Sequence, residues 1–179
     1  MRPLLYGEHV RLATLTSSND IAVMQHWTAH SAAWRLLDGA QTAAQSLRGL
    51  AREAREDLYF LVYLLNGEHP IGQASLFGIQ RPAGAAWLGI GLGAREHWEA
   101  GHGSDAIRAL LCYAFVELGL NRLWLGVFDY DARAIRSYEE AGFVIEGRML
   151  QEATRTGRPK AGVYMGLRRE AWQSAACEA

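Results

Sequence analysis

Residues 98–106 read Trp-Glu-Ala-Gly-His-Gly-Ser-Asp-Ala and stand between a glycine-rich strand pattern and a strongly amphipathic helix pattern. A loop of small residues that runs straight into a helix presents unpaired backbone N–H groups and the positive end of the helix dipole, a receptor for phosphate. Gly101 and Gly103 have no Cβ, so a phosphate can come close to the backbone there. The run therefore points to a ligand carrying a pyrophosphate.

The elements around the loop decide which ligand. Residues 10–15 alternate apolar and polar side chains, as a half-buried first strand does. Thr16-Ser17-Ser18-Asn19-Asp20 supplies N-cap candidates for a helix through Ile21, Met24 and Trp27. Further helices are expected around 32–37 and over 42–56. Residues 58–65 read as a strand, Asn66-Gly67 as a hairpin turn and 71–79 as the partner strand. After a turn at Arg81-Pro82-Ala83-Gly84, residues 85–94 complete an antiparallel meander.

From Ala106 an apolar stripe runs through Ile107, Leu110, Leu111, Ala114, Phe115 and Leu118, and Gly119 closes that helix. Leu123, Leu125 and Val127 mark a strand. A helix follows over 131–141, ended by Gly142, and strands over 143–150 and 162–168 flank the turn Gly157-Arg158-Pro159. The expected fold is α+β (mixed α/β). It is a single domain over 1–179 with its core at about 8–168, and its central, mostly antiparallel sheet is flanked by helices.

Composition removes other classes. Eighteen Lys+Arg against nineteen Asp+Glu leave a net charge of -1, without the basic excess that a nucleic-acid footprint needs. No apolar run approaches the roughly 20 residues that span a bilayer, and residues 1–9 lack a signal-peptide core. Cys112 falls inside a helix pattern and Cys177 in the C-terminal tail, so no disulfide framework is expected and a cytoplasmic location fits. His26 and His30 are spaced i, i+4, but no third ligand accompanies them, so no metal site is expected. Cys112 has no His or Asp pattern beside it and reads as a structural cysteine, not a nucleophile.

Gly101-His102-Gly103-Ser104-Asp105-Ala106 also fits the dinucleotide pattern G-x-G-x-x-A, with Asp129 near the end of the next strand. That fingerprint belongs at the first βα turn of a doubly wound sheet. Here a meander precedes it and one strand-helix-strand follows.

Taken together, Trp98-Glu99-Ala100-Gly101-His102-Gly103, Leu118-Gly119-Leu120-Asn121-Arg122, residues 131–143 and Glu146-Gly147-Arg148 closely resemble GNAT-type acetyl-CoA-dependent N-acetyltransferases, in particular their RimJ/RimL-like branch. The resemblance implies a sheet splayed at the cofactor site. Leu92, Gly93 and Ala94 would end a strand against which the pantetheine arm lies like an added strand. Trp98, Glu99, Ala100, Gly101, His102, Gly103 and Ser104 would form the pyrophosphate loop. Tyr138 matches the tyrosine that protonates the departing CoA thiolate, and Asp131 sits close to the cofactor, where it is also placed to cap the helix that carries Tyr138.

Two positions depart from the family pattern: Glu99 stands where Gly is usual, and Asp131 where Asn is common. Ionised Asp accepts hydrogen bonds but cannot donate one. Glu96, His97 and Asp129 are candidate bases by proximity in sequence alone, and the helices holding Trp27 and Trp34 would wall the acceptor site. The expected activity is direct acetyl transfer from acetyl-CoA, without metal, to a primary amine on a small molecule or a protein N-terminus. The oligomeric state stays open: the resembled family often dimerises, but nothing in the sequence compels a homodimer. The rival class is a non-catalytic acyl-CoA-binding sensor of the same fold.

Overall fold

The period-two patterns become strands with few changes. The computed structural model describes residues 4–15, 20, 22–23, 57–93, 95–98, 100–151, 160–172 and 177. Its strands are β1 (Leu4–Tyr6), β2 (Val10–Thr14), β3 (Leu58–Leu64), β4 (Pro70–Gln80), β5 (Ala85–Leu92), β6 (Arg122–Phe128), β7 (Val144–Gln151) and β8 (Lys160–Arg168). Helix α1 (His102–Cys112) joins β5 to β6, and α2 (Ala132–Glu140) joins β6 to β7. Of the helices expected before residue 57, only Asp20, Ala22 and Val23 are described, and they are helical. The remainder lies outside the described residues.

The strands form one mixed sheet in the order β1-β2-β3-β4-β5-β6-β8-β7, so the fold is the expected α+β class. β1 has no counterpart in the sequence patterns; three residues are too few to show a period, and it forms by pairing Leu5 with Leu12 of β2. Every pairing is antiparallel except β5 with β6. That parallel pair is short: Ala85, Ala86 and Trp87 face Arg122, Leu123 and Trp124, and the ladder stops there. β5 continues on β4 as far as Leu92, and β6 continues on β8 as far as Phe128. Each strand keeps its other neighbour, so the two part beyond Trp87 and leave the sheet open.

One face of the sheet packs on α1. Val10, Leu12, Phe60, Leu76 and Leu88 meet Ile107, Leu110 and Leu111 in a single buried cluster. Each such side chain contributes about 1.5–3 kcal/mol when fully buried, and together they hold α1 across the parting of the strands. α1 starts at His102, four residues before the apolar stripe begins, because its first turn faces the opening instead of the core. It continues through a wider π-type turn at Tyr113–Glu117. Leu120 N–H then donates back to Ala114 O (2.9 Å) around Gly119.

One expectation fails. Cys112 and Cys177 are joined by a disulfide, with Cα atoms 5.7 Å apart. The chain beyond β8 turns back, and Trp172 packs on Phe115 (ring centroids 5.1 Å), which carries the tail to the end of α1. A separation of 65 residues left no local signal for that return. Paired cysteines lend no support to a reducing compartment. Among the described residues no helix is long and apolar enough to cross a membrane.

Candidate active site

A cleft of about 650 Å3 occupies the opening between β5 and β6. Gly101, Gly103, Ser104 and Ile107 bound it on the α1 side, and Asp131, Arg133 and Tyr138 on the α2 side. Phe128 of β6 and Tyr164 of β8 also line it.

The start of α1 is open to this cleft. Gly101 is the N-cap, with φ +77 in the left-handed region that favours glycine, and no side chain caps the helix. Asp105 N–H is the first to close back, onto Gly101 O (3.0 Å). The N–H groups of His102, Gly103 and Ser104 therefore have no acceptor within the helix. Gly103 has a different reason to be glycine: a Cβ there would touch only Leu92 Cδ1, at 3.6 Å, so the space it keeps clear is in the cleft.

Asp105 belongs to the same first turn yet points away from the cleft. Its side chain is 1% exposed and accepts from the backbone N–H groups of Glu8 (3.0 Å), His9 (2.8 Å) and Val10 (3.0 Å), with Arg108 at 3.2 Å. Burial raises its pKa, but the three N–H donors and the Arg108 guanidinium outweigh burial and hold the carboxyl below its ordinary value. A Cβ at Gly7 would overlap this carboxylate, so the turn between β1 and β2 is built around it. Asp105 thus fixes the position of the α1 N-terminus against the sheet.

The loop before α1 is tied to the end of β5. Trp98 Nε1–H donates to Leu92 O (3.0 Å), and the Arg133 guanidinium lies 4.2 Å above the Trp98 ring. This brings a cation from α2 into the cleft, beside the open N–H groups of α1. Sequence reasoning missed Arg133, whose partner is 35 positions away. Leu92 and Trp98 line the cleft. Gly93 does not: it is buried, and its N–H donates to Ile71 O (3.1 Å). Ala100 and His102 border a separate depression beside Glu8 and His9, so of His102 only the backbone N–H has the position a phosphate site needs. Ala94 and Glu99 lie outside the described residues, as do His26, Trp27, His30 and Trp34.

Asp131 caps α2, its Oδ1 accepting from Ala134 N–H (3.0 Å), so its first role is the expected one. Tyr138, on the last turns of α2, is 7% exposed; its ring meets Phe143 edge-on (5.8 Å), and it also borders the cleft. Burial pushes its phenol well above the ordinary value, and the Asp131 carboxylate adds to the shift. The group is protonated at neutral pH. None of Glu96, His97 and Asp129 lines the cleft; His97 packs instead on His102 (5.8 Å). Cys112 is held in its disulfide and is not a free nucleophile.

Known proteins are similar to this chain in sequence and fold. Residues 9–144 match the family model described as "Acetyltransferase (GNAT) domain". The protein named "Probable N-acetyltransferase YjcK" of Bacillus subtilis is 35% identical over 96 residues, which is 53% of this chain and 52% of that protein. The chain thus spans about half the length of that relative. The "Uncharacterized N-acetyltransferase p20" of Bacillus licheniformis is 24% identical over 86% of this chain and 89% of its own length. In fold, the chain is similar to the spermidine N-acetyltransferase of Vibrio cholerae solved in complex with CoA and spermine. The TM-score is 0.74 at 21% identity, over 91% of this chain and 97% of that one. The parted strands, the uncapped glycine start of α1 and a family match over three quarters of the sequence agree, and the chain belongs to the acetyltransferase (GNAT) family.

Proposed function

We propose that this chain is an acetyl-CoA-dependent N-acetyltransferase of a RimJ/RimL-like branch, moving the acetyl group directly to a primary amine in a ternary complex. One observation carries the proposal: the opening between β5 and β6 meets the uncapped N-terminus of α1 in a single cleft. A phosphate-bearing donor and an amine can meet there from opposite faces of the sheet. The relatives' names, and the CoA in a structure of the same fold, support the same donor.

The geometry supports a role for each part of the cleft. The pyrophosphate is received by the N–H groups of His102, Gly103 and Ser104, with Arg133 as a charged partner. The pantetheine arm lies along β5 beyond Trp87, where β6 no longer pairs with it. The amine nitrogen attacks the thioester carbonyl, the C–S bond breaks, and the thiolate takes the Tyr138 proton. The amine proton leaves to water. Holding the two reactants in line supplies much of the acceleration.

Thermal melts with acetyl-CoA, CoA and NAD, followed by thiol release with a panel of amines, test the proposal. CoA at 100 times its Kd adds about 2.7 kcal/mol of stability by mass action. A shift with NAD and none with CoA would overturn the donor, and binding without thiol release from any amine would make the chain an acyl-CoA sensor.

A further inference from the structure

The face of the sheet opposite α1 carries a pattern of its own. Leu88, Ile90, Leu125, Val127, Val163 and Met165 turn toward the core shared with α1. Strand alternation puts Trp87, Gly89 and Gly91 of β5, Trp124, Gly126 and Phe128 of β6, and Gly162 and Tyr164 of β8 on the other side. There Trp87 is the hub of an aromatic cluster, 6.0 Å from Trp124, 5.9 Å from Tyr164 edge-on, and 6.4 Å from Phe77 stacked. Phe128 stacks on Tyr130 at 5.2 Å with 7° between planes. Gly126, Phe128, Gly162 and Tyr164 also border the cleft, so this glycine floor with aromatic walls opens into it from behind.

Among the described residues, few charges stand at this notch. Asp131 is the one carboxylate among the described residues of the cleft, and it caps α2. Beside Trp124, Arg122 and Glu146 are paired with each other (2.5 Å), and the Arg122 guanidinium lies 5.0 Å from the Trp124 ring. A polyamine loses the hydration of several ammonium groups on binding and needs carboxylates in exchange. A flat ring gains from aromatic walls and from glycine backbone that lets it lie close.

We infer that the acceptor is an arylalkylamine, a single primary amine on a short linker from an aromatic ring, with that ring seated between Phe128 and Tyr164 over Gly126 and Gly162. This rests on the acetyl-transfer proposal above and names its acceptor class.

Thiol release from saturating acetyl-CoA, with phenethylamine, tryptamine and spermidine as acceptors, tests it on the full chain. The expected kcat/KM is about tenfold or more higher for the aryl amines than for spermidine, within the range an apolar pocket discriminates. Phe128→Ala should raise KM for the aryl amines about tenfold, with kcat and the KM for acetyl-CoA much less affected; Tyr164→Leu should do the same if the first variant melts early. Spermidine turned over as well as the aryl amines, or equal losses for all acceptors in a folded variant, would overturn the aryl assignment and leave acetyl transfer standing. Acetyl-CoA binding with no thiol release from any amine would remove both.

Discussion

The two helices that border the cleft begin in opposite ways. α2 starts at a side-chain cap, with Asp131 accepting from Ala134 N–H. α1 starts at Gly101 with no side-chain cap, although Ser104 and Asp105 stand in its first turn and Asp105 is turned away into the β1–β2 turn. A side-chain cap satisfies one of the end's own donors and occupies the place of a ligand. An uncapped end facing a cleft keeps N–H groups available to one. In the proposed reaction the helices divide the work: α1 would bind through its end, and α2 would act through its side, where Tyr138 and Arg133 line the cleft.

The largest effect should come from the side of α2. Tyr138→Phe keeps the ring against Phe143 and removes the proton donor, so turnover should fall about 10²–10⁴-fold while acetyl-CoA affinity and melting point stay near wild type. Steady-state rates under conditions where chemistry limits, with calorimetric titration, check this. Wild-type turnover would return Tyr138 to the core alone.

Next is the residue that withholds itself from capping α1. Asp105→Asn leaves buried N–H donors of residues 8–10 imperfectly met and should destabilise the fold by about 3 kcal/mol, read by urea denaturation. The folded-state pKa of Asp105 is lowered, so its contribution is present above the ordinary carboxylate range and is lost as pH falls through the lower folded value. The wild-type advantage over Asp105→Asn should therefore shrink in acid. A constant difference at all pH would show that packing, not charge, is what the residue supplies.

Gly103→Val tests the open end of α1. The protein itself offers ordinary space there, since a Cβ on residue 103 would lie 3.6 Å from Leu92 Cδ1, so the fold should survive. CoA affinity should drop about tenfold or more, roughly 1.4 kcal/mol, because the branch occupies the phosphate position. Unchanged affinity by calorimetry would place the pyrophosphate elsewhere. The smallest effect is the cap: Asp131→Ala should lower stability by about 1 kcal/mol, with CoA affinity little changed. A large loss of affinity would make Asp131 a ligand contact as well.

How much of this was legible in the sequence differs from element to element. The β3–β4 hairpin at Asn66-Gly67 and the stripe of α1 were plain, because hydrophobic period and turn chemistry are local. The phosphate loop was legible through its glycines, although which glycine does what was not: Gly101 adopts the left-handed conformation, and Gly103 keeps the cleft clear. The Gly-aromatic alternation of β6, Trp124-Gly126-Phe128, was present in the sequence, but only the sheet order shows that it meets Tyr164 of β8.

Local chemistry in the chain was thus enough to settle the types of the described elements other than β1, the Asp131 cap and the glycine-rich start of α1, since each depends on neighbours a few positions away. Contacts across the sheet and between its ends were decided by folding. They include the parting of β5 from β6, Arg133 over Trp98, Asp105 in the β1–β2 turn and the bond between Cys112 and Cys177. The physical reason is distance along the chain: these partners are 35 to about 100 residues apart, and only burial of one continuous core brings them together.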